Sequence, residues 1–524
     1  MSTKLSEAPD EHEVTGGASL TTNIDVDMGS DRIALRPASL FREALSDVVS
    51  AVPIALVDIS KLLVPALTTM HVGHSADATA LAGAALGTLT FNIAGCMIVT
   101  APLNAMDTIA PQAFGAGRKE GVGLALQRAL IVAVLFMVPT LPLWIWAEPI
   151  LEALGQPTEV ASYGAYYMQL LMPSLAPLVV FEAMRKYVYA QNIRMPPLPA
   201  ALIGLASHPL WLQLWCNTGL GVTGAPIAIA SAYMVMCTAL FVHLRWFAPS
   251  TLGAWPRGYQ QRLLWRDRAA WRHFLCTSAA ALVSLSEWLY WEVVCFRVGA
   301  FGTLPLAAYG IAYSLEPVFF MVPLGLSTGL ANSIGNRLGA GQVAGAKRLT
   351  LAAFLIVGGI IVTYVLIAYA ARRALTGLFS TDEMVLAAAA ELWPAFCIFM
   401  LASGIFALLL GLNRGLGLQG WNAKCVMAIM WPLGAPLVIF AAHTPTEVWY
   451  MLTVMYGLLL LGLAAGAACS SWEHLSRIAI AAASSGESCD ADGAPTEMTT
   501  MPPASGGLAA MDSCTERAAD RVER

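Results

Sequence analysis

Ionisable groups set inside apolar runs are where this chain could do chemistry, and the string SLSEWLYWEVVCF at residues 284–296 holds two of them. Glu287 and Glu292 are five residues apart, roughly 140° around a helix, so they do not share one face. Burial disfavours a charged carboxylate, which suits a group that takes up and gives back a proton. The plainer alternative is a structural carboxyl bonded to a neighbouring helix. The mid-span place of Glu287 beside Trp288 favours function, and for Glu292 the two readings stand level. Glu316 precedes Pro317, Asp58 lies within a further apolar run, and Asp107 ends another. An ionisable group in a bilayer is costly and by default marks a pathway. Asp107 reads foremost as a cap for backbone N–H groups, and Glu182 as the helical-spacing partner of Arg185 or Lys186. Trp288, Tyr290, Trp291, Tyr309 and Tyr313 lie along the same segments. Aromatic faces beside a carboxylate attract organic cations; an interfacial belt explains Tyr290 and Trp291 as well.

The elements that must position these groups follow from composition. The chain has 524 residues, 57% hydrophobic and 12% charged, against about a quarter charged in soluble domains. About 20 apolar residues cross a bilayer as a helix. Twelve stretches qualify, near 47–70, 79–103, 124–146, 163–190, 197–216, 223–247, 273–299, 304–331, 347–371, 390–412, 424–442 and 448–470. The first is the weakest, since Asp58 and Lys61 interrupt it. The expected organisation is an arm at 1–43, a first lobe at 44–247, a connecting loop at 248–272, a second lobe at 273–470 and a tail at 471–524. The arm and most of the tail are polar and read as disordered, and the arm has no apolar run of the kind a secretory signal needs. Lys and Arg crowd alternate loops, including Arg118, Arg194, Arg262 and Arg337, whereas the intervening loop with Glu148, Glu152 and Glu159 is acidic. That bias places both termini in the cytosol, which requires an even number of spans. Prolines recur inside the spans, among them Pro139, Pro173, Pro317 and Pro432, and suit bending helices or cavity walls.

An internal repeat organises the whole. Residues 107–117 read DTIAPQAFGAG and 332–341 read NSIGNRLGAG, and 339 − 115 = 224 also pairs Gln112 with Asn336. Two copies of one membrane unit are expected, with a transporter's binding site between them. Other classes lack their chemistry. GAGRKEGVG at 115–123 is not a phosphate cradle, and no nucleophile elbow or zinc signature is present. The ten cysteines form no C-x-x-C pair and read as buried thiols. His71 and His74 have metal-ligand spacing without a third ligand and read as loop residues. A polytopic membrane enzyme would need an intramembrane His with a partner acid or amide, which His208 and His243 lack at helical spacing; a receptor would have another span count and no duplication.

Several motifs together resemble the multidrug and toxin extrusion (MATE) family of the eukaryotic type. They are VGH at 72–74, LAGAAL at 81–86, DTIAPQAFGAG at 107–117, GVTGA at 221–225, SEWLYWE at 286–292 and PLGLSTGLANSIGNRLGAG at 323–341. The resemblance implies an all-α, V-shaped protein of twelve transmembrane helices in two pseudo-symmetric six-helix lobes. It implies a monomeric antiporter of the plasma or a vacuolar-type membrane, exporting small organic cations for H⁺ or Na⁺, with no cofactor, no metal and no nucleic-acid partner. Glu287 and Glu292 look like the two acidic positions of span seven. Coupling is expected from Glu287, Glu292, Glu316 and Asp58, and substrate contact from Trp288, Tyr309, Tyr313, Gln112 and Asp107. The chain departs from the family where acids are usual in spans eight and ten, holding Ser314 and Ser403 instead. A flippase for lipids or lipid-linked sugars is the competing transporter reading, but no intramembrane Arg cluster supports it.

Overall fold

The computed structural model describes residues 37–75, 78–257, 259–380 and 382–484. The arm up to residue 36 and the tail from 485, with Cys489 and Cys514, lie outside these. In hydrocarbon an apolar run can satisfy its backbone only within its own helix, and every regular element among the described residues is a helix. The crossings are α1 (Pro37–Ser75), α2 (Thr79–Gly115), α3 (Lys119–Ile145), α4 (Thr158–Ala190), α5 (Pro197–Trp215), α6 (Gly224–Val242), α7 (Arg268–Gly299), α8 (Thr303–Gly339), α9 (Val343–Ala370), α10 (Glu383–Leu416), α11 (Gln419–Ala441) and α12 (Pro445–Cys469). By apolar length alone Pro197–Phe247 is one stretch of 51 residues. Gly219 and Gly221, at φ 89° and 56°, reverse the chain inside it, and Gly204 packs on Met236. α5 and α6 are therefore a hairpin, and the crossings among the described residues number twelve.

The repeat is visible in backbone detail. The Ala116 N–H reaches the Gln112 carbonyl at 3.0 Å, and the Ala340 N–H reaches that of Asn336 at 3.0 Å. Gly117 and Gly341 follow at φ 81° and 74°, the left-handed position that ends a helix and favours glycine. α4 and α10 end alike: Asn192 at φ 60° and Gly417 at φ 83° occupy matching places. Their next residues, Ile193 and Leu418, donate to the carbonyls of Val188 and Asn413.

These four turns lie at one end of the bundle, where the two halves meet. A Cβ on Gly115 would sit 2.0 Å from the Asn336 carbonyl oxygen, and one on Gly339 would sit 2.1 Å from that of Gln112. Glycine is required by this reciprocal backbone contact. Gly325 and Gly329 of α8 likewise abut Ala55 and Ala51 of α1. Towards the far end the elements Ala78–Phe91, Thr158–Leu171 and Ser286–Gly299 pack chiefly within their own half.

The structure corrects several expectations. Residues 37–43, assigned to the arm, are the first turns of α1, held where Glu43 and Asp47 meet Arg337 at 2.6 and 3.1 Å. His71 and His74 are helical, in its last turns. The connecting segment 248–272 is ordered as a 3₁₀ turn (Pro249–Ala254), a helix (Tyr259–Arg266) and the start of α7. Asp267 caps α7, taking the Ala270 N–H at 2.9 Å. The tail opens with a helix, Trp472–Ser484, packed on α8 and α2. There a hydrogen bond from Lys347 holds the Glu473 carboxyl below its ordinary range. Pro139 and Pro173 sit in short 3₁₀ turns, and Pro432 lies in a π-helical segment, Met430–Gly434. Each removes an N–H and loosens its helix. All eight described cysteines are free thiols.

Candidate functional site

Residues 284–296 lie in one crossing but not in one unbroken helix. α7 breaks at Leu285 (φ −72°, ψ −10°) into Arg268–Ser284 and Ser286–Gly299. Glu287 lies in the first turn after the break and is buried. Its Oε1 accepts the Trp291 indole N–H, one turn on, at 3.0 Å. The same oxygen accepts the hydroxyl of Tyr456 from α12. Glu316 lies on α8, the next crossing, near enough for its charge to interact with that of Glu287. Pro317 withdraws the N–H that the Tyr313 carbonyl would otherwise receive, a local opening beside Glu316.

An aromatic cluster stands beside Glu287. The Trp291 ring lies 5.5 Å from Phe399, 6.0 Å from Trp449, 6.1 Å from Tyr313 and 6.5 Å from Tyr456. Tyr309 stacks between Tyr313 at 6.0 Å and Trp449 at 5.2 Å. Among the described residues, the buried Tyr309 hydroxyl and Trp449 indole N–H have no hydrogen-bond partner, so four helices supply a wall with unspent donors. Trp288 is 50% exposed and lies outside this cluster of rings. Tyr290 and Trp291 do not form an interfacial belt either, for Tyr290 is fully buried and Trp291 sits at the centre of the cluster. Glu292 is part-buried. Ser314 and Ser403 spend their hydroxyls on the Gly310 and Met400 carbonyls.

The acids of the first half are placed differently. Asp58 contacts Lys61 at 3.1 Å and Arg185 at 3.0 Å, while Glu182 contacts the same two cations at 2.5 and 2.7 Å. Glu182 thus finds Arg185, as its spacing suggests, but Lys186 does not join them. It crosses to Asp107 at 2.7 Å, where Arg414 of α10 adds a contact at 3.2 Å. Asp107 is no helix cap; two cations from two helices claim its buried carboxylate. Each of the three acids has two cationic partners. Among the described residues, no hydrogen bond or ion pair joins Glu287, Glu292 or Glu316 to a lysine or arginine.

Gln112 works at the seam. Its Nε2 donates to the Gly415 carbonyl at 3.0 Å, and its repeat mate Asn336 donates to that of Ala190 at 3.3 Å. The offsets agree to within one residue, 336 − 112 = 224 and 415 − 190 = 225. Thr108 donates to the Arg414 carbonyl at 2.6 Å, and Gln419 donates to Thr108 at 2.7 Å. Sequence reading missed Tyr456, Trp449, Phe399, Gln419 and Arg414. Tyr456 stands 169 residues from the carboxyl it serves, beyond any local spacing.

The MatE family model matches residues 53–211 and again 279–440. The two matches begin 279 − 53 = 226 residues apart, in step with the repeat. Multidrug and toxin extrusion protein 1 of Danio rerio is 27% identical over 410 residues, covering 77% of this chain and 68% of that protein. Multidrug and toxin extrusion protein 2 of Oryctolagus cuniculus is 27% identical over 449 residues, covering 84% and 71%. In fold, the eukaryotic MATE transporter AtDTX14 matches with a TM-score of 0.75 at 21% identity, over 85% of this chain and all of that one. The bent form of Vibrio cholerae VcmN matches with a TM-score of 0.67 at 18% identity, over 85% and 99%.

Proposed function

The chain belongs to the MatE family, and from that premise we propose that it is an exporter of small organic cations, run in exchange for protons by alternating access. The observation that carries this reading is the inequality of the two halves. Asp58 and Glu182 share Lys61 and Arg185, and Asp107 holds Lys186 and Arg414, so these three acids are committed to structure. Glu287 is bonded by Trp291 and Tyr456, and among the described residues neither it nor Glu316 pairs with a cation, the surroundings in which a carboxylate binds either a proton or an organic cation. Gln112 and Asp107 join the halves instead of lining this site, and Asp58 is a balanced ion. Coupling therefore rests on Glu287, with Glu316 as its electrostatic neighbour; Tyr309 and Tyr313 form the substrate wall. The lobes divide at about 44–247 and 273–470, the protein works as a monomer, and both termini lie in the cytosol of a cell whose plasma or vacuolar-type membrane it occupies. The relatives are transporters, and the polytopic-enzyme reading falls with the family assignment.

The test is flux of a fluorescent organic cation into proteoliposomes under an imposed pH gradient, with a Na⁺ gradient as the comparison. Uptake that follows the pH gradient and collapses with a protonophore is expected. Uptake driven by Na⁺ alone would transfer the coupling role to the metal ion.

A further inference from the structure

We propose that the segment between the lobes is a docking platform for anionic phospholipid headgroups of the adjoining leaflet. Residues 245–272 hold Arg245, Arg257, Arg262, Arg266, Arg268 and Arg272 against the single acid Asp267, a balance of 6 − 1 = +5. All six arginines are exposed, and none has an ion pair among the described residues. Asp267 is occupied with the Ala270 N–H and leaves the field unbalanced. Four large aromatic side chains share this exposure: Trp246 at 64%, Phe247 at 76%, Trp255 at 42% and Trp265 at 68%.

The surface is built rather than loose. The amides of Gln127 on α3 and Gln261 bond each other at 3.2 and 2.9 Å. Arg128 donates to the Leu263 carbonyl at 3.4 Å, and the Trp271 indole N–H donates to that of Leu264. Gly123 abuts Pro256 and the Ala254 carbonyl. With Leu264 turned inward, Arg262, Trp265 and Arg266, at helical i, i+3 and i+4, share the outward face of Tyr259–Arg266. Arg268 and Arg272 continue the charge onto α7.

Exposed indoles at the end of a transmembrane bundle sit at headgroup depth. Arginines beside them meet phosphate with a planar fork of donors. An interfacial amphipathic helix of this composition binds through apolar burial and attraction to anionic lipid together. A soluble polyanion would match the charge but leave the four aromatic faces in water. The helix at the end of the second lobe is no counterpart, since it carries Glu473 paired with Lys347.

The test uses the full chain in phosphatidylcholine vesicles, alone or doped with phosphatidylglycerol, followed by extraction and counting of retained lipids by native mass spectrometry. The wild type should retain phosphatidylglycerol in preference to phosphatidylcholine. The pair R262Q/R266Q should cut that preference by roughly an order of magnitude, and W265A should weaken it further. The control pair R348Q/K424Q alters exposed cations elsewhere and should change nothing. Thermal unfolding in detergent, equal for all variants, separates this from misfolding. Equal retention by R262Q/R266Q and wild type overturns the platform. So does an equal loss in the control pair, which would reduce the effect to general charge. Loss of phosphatidylglycerol preference with unchanged sensitivity to added soluble polyphosphate supports the membrane as partner; capture of polyphosphate in its place overturns it.

Discussion

Glu287 is expected to be the residue on which pH-driven flux depends. E287Q should abolish uptake under a pH gradient while leaving expression and thermal unfolding near wild type. E316Q should reduce it partially, because Glu316 acts on the site through its charge. Normal flux in E287Q would send the proton route elsewhere. Y456F removes a hydrogen bond to a charged group, a contact of about 1.5–3 kcal/mol. It should slow pH-driven flux about ten-fold without displacing the aromatic wall; measurement of rate against pH checks it. The sequence made Glu287 legible, because a carboxyl in an apolar run is conspicuous. Its partner was not legible, since Tyr456 looks like any aromatic of an apolar span. Trp288 and Trp291 show the same limit: adjacency in sequence favoured Trp288, but helical geometry brings the side chain four residues on over the carboxylate.

At the scale of the helix, the opposite-charge partners of α1 and α4 explain why a span interrupted by Asp58 and Lys61 still forms a helix of 39 residues. Periodicity weighed those charges as defects because it could not see Arg185 and Glu182 facing them. Replacing Arg185 with Met leaves Asp58 and Glu182 to share Lys61 alone, an uncompensated buried charge that should cost about 3–5 kcal/mol, read as a large fall in thermal midpoint in detergent. The glycine-ended helices were legible as a repeated string. The equivalent ends of α4 and α10 were not, because Asn192 and Gly417 reach the same left-handed conformation with different side chains. Gly115→Ala forces a Cβ against a carbonyl with no flexible side chain to yield. It should weaken the closed seam by about 1–3 kcal/mol and raise labelling of a cysteine placed at position 112. Unchanged labelling would mean that the two ends separate without strain. The break at Leu285 had no sequence signal, as Leu-Ser is ordinary in a helix.

For the whole molecule, the seam is a pseudo-two-fold latch in which Gln112 and Asn336 each donate to the turn of the opposite half. The alternating access proposed above would have to undo both. The double variant Q112L/N336L is expected to favour the separated state more than the sum of its single variants. A double-mutant cycle on seam-cysteine accessibility measures this, and strict additivity would show that the two contacts open independently. The duplication was legible, but the division of labour between its copies was not, because the pairing of Asp58, Asp107 and Glu182 crosses helices. That pairing has an electrical consequence. On the proposed reading, with the first half's ions balanced in place, the moving charge would be confined to the carboxyls beside the aromatic wall. If Glu287 alone is exchanged, a monovalent organic cation leaves as one proton enters, and no net charge crosses the bilayer. Turnover should then be indifferent to an imposed potassium diffusion potential, while a divalent substrate should respond to it. The protein would run on the proton's chemical gradient alone and keep working across a membrane whose voltage has collapsed.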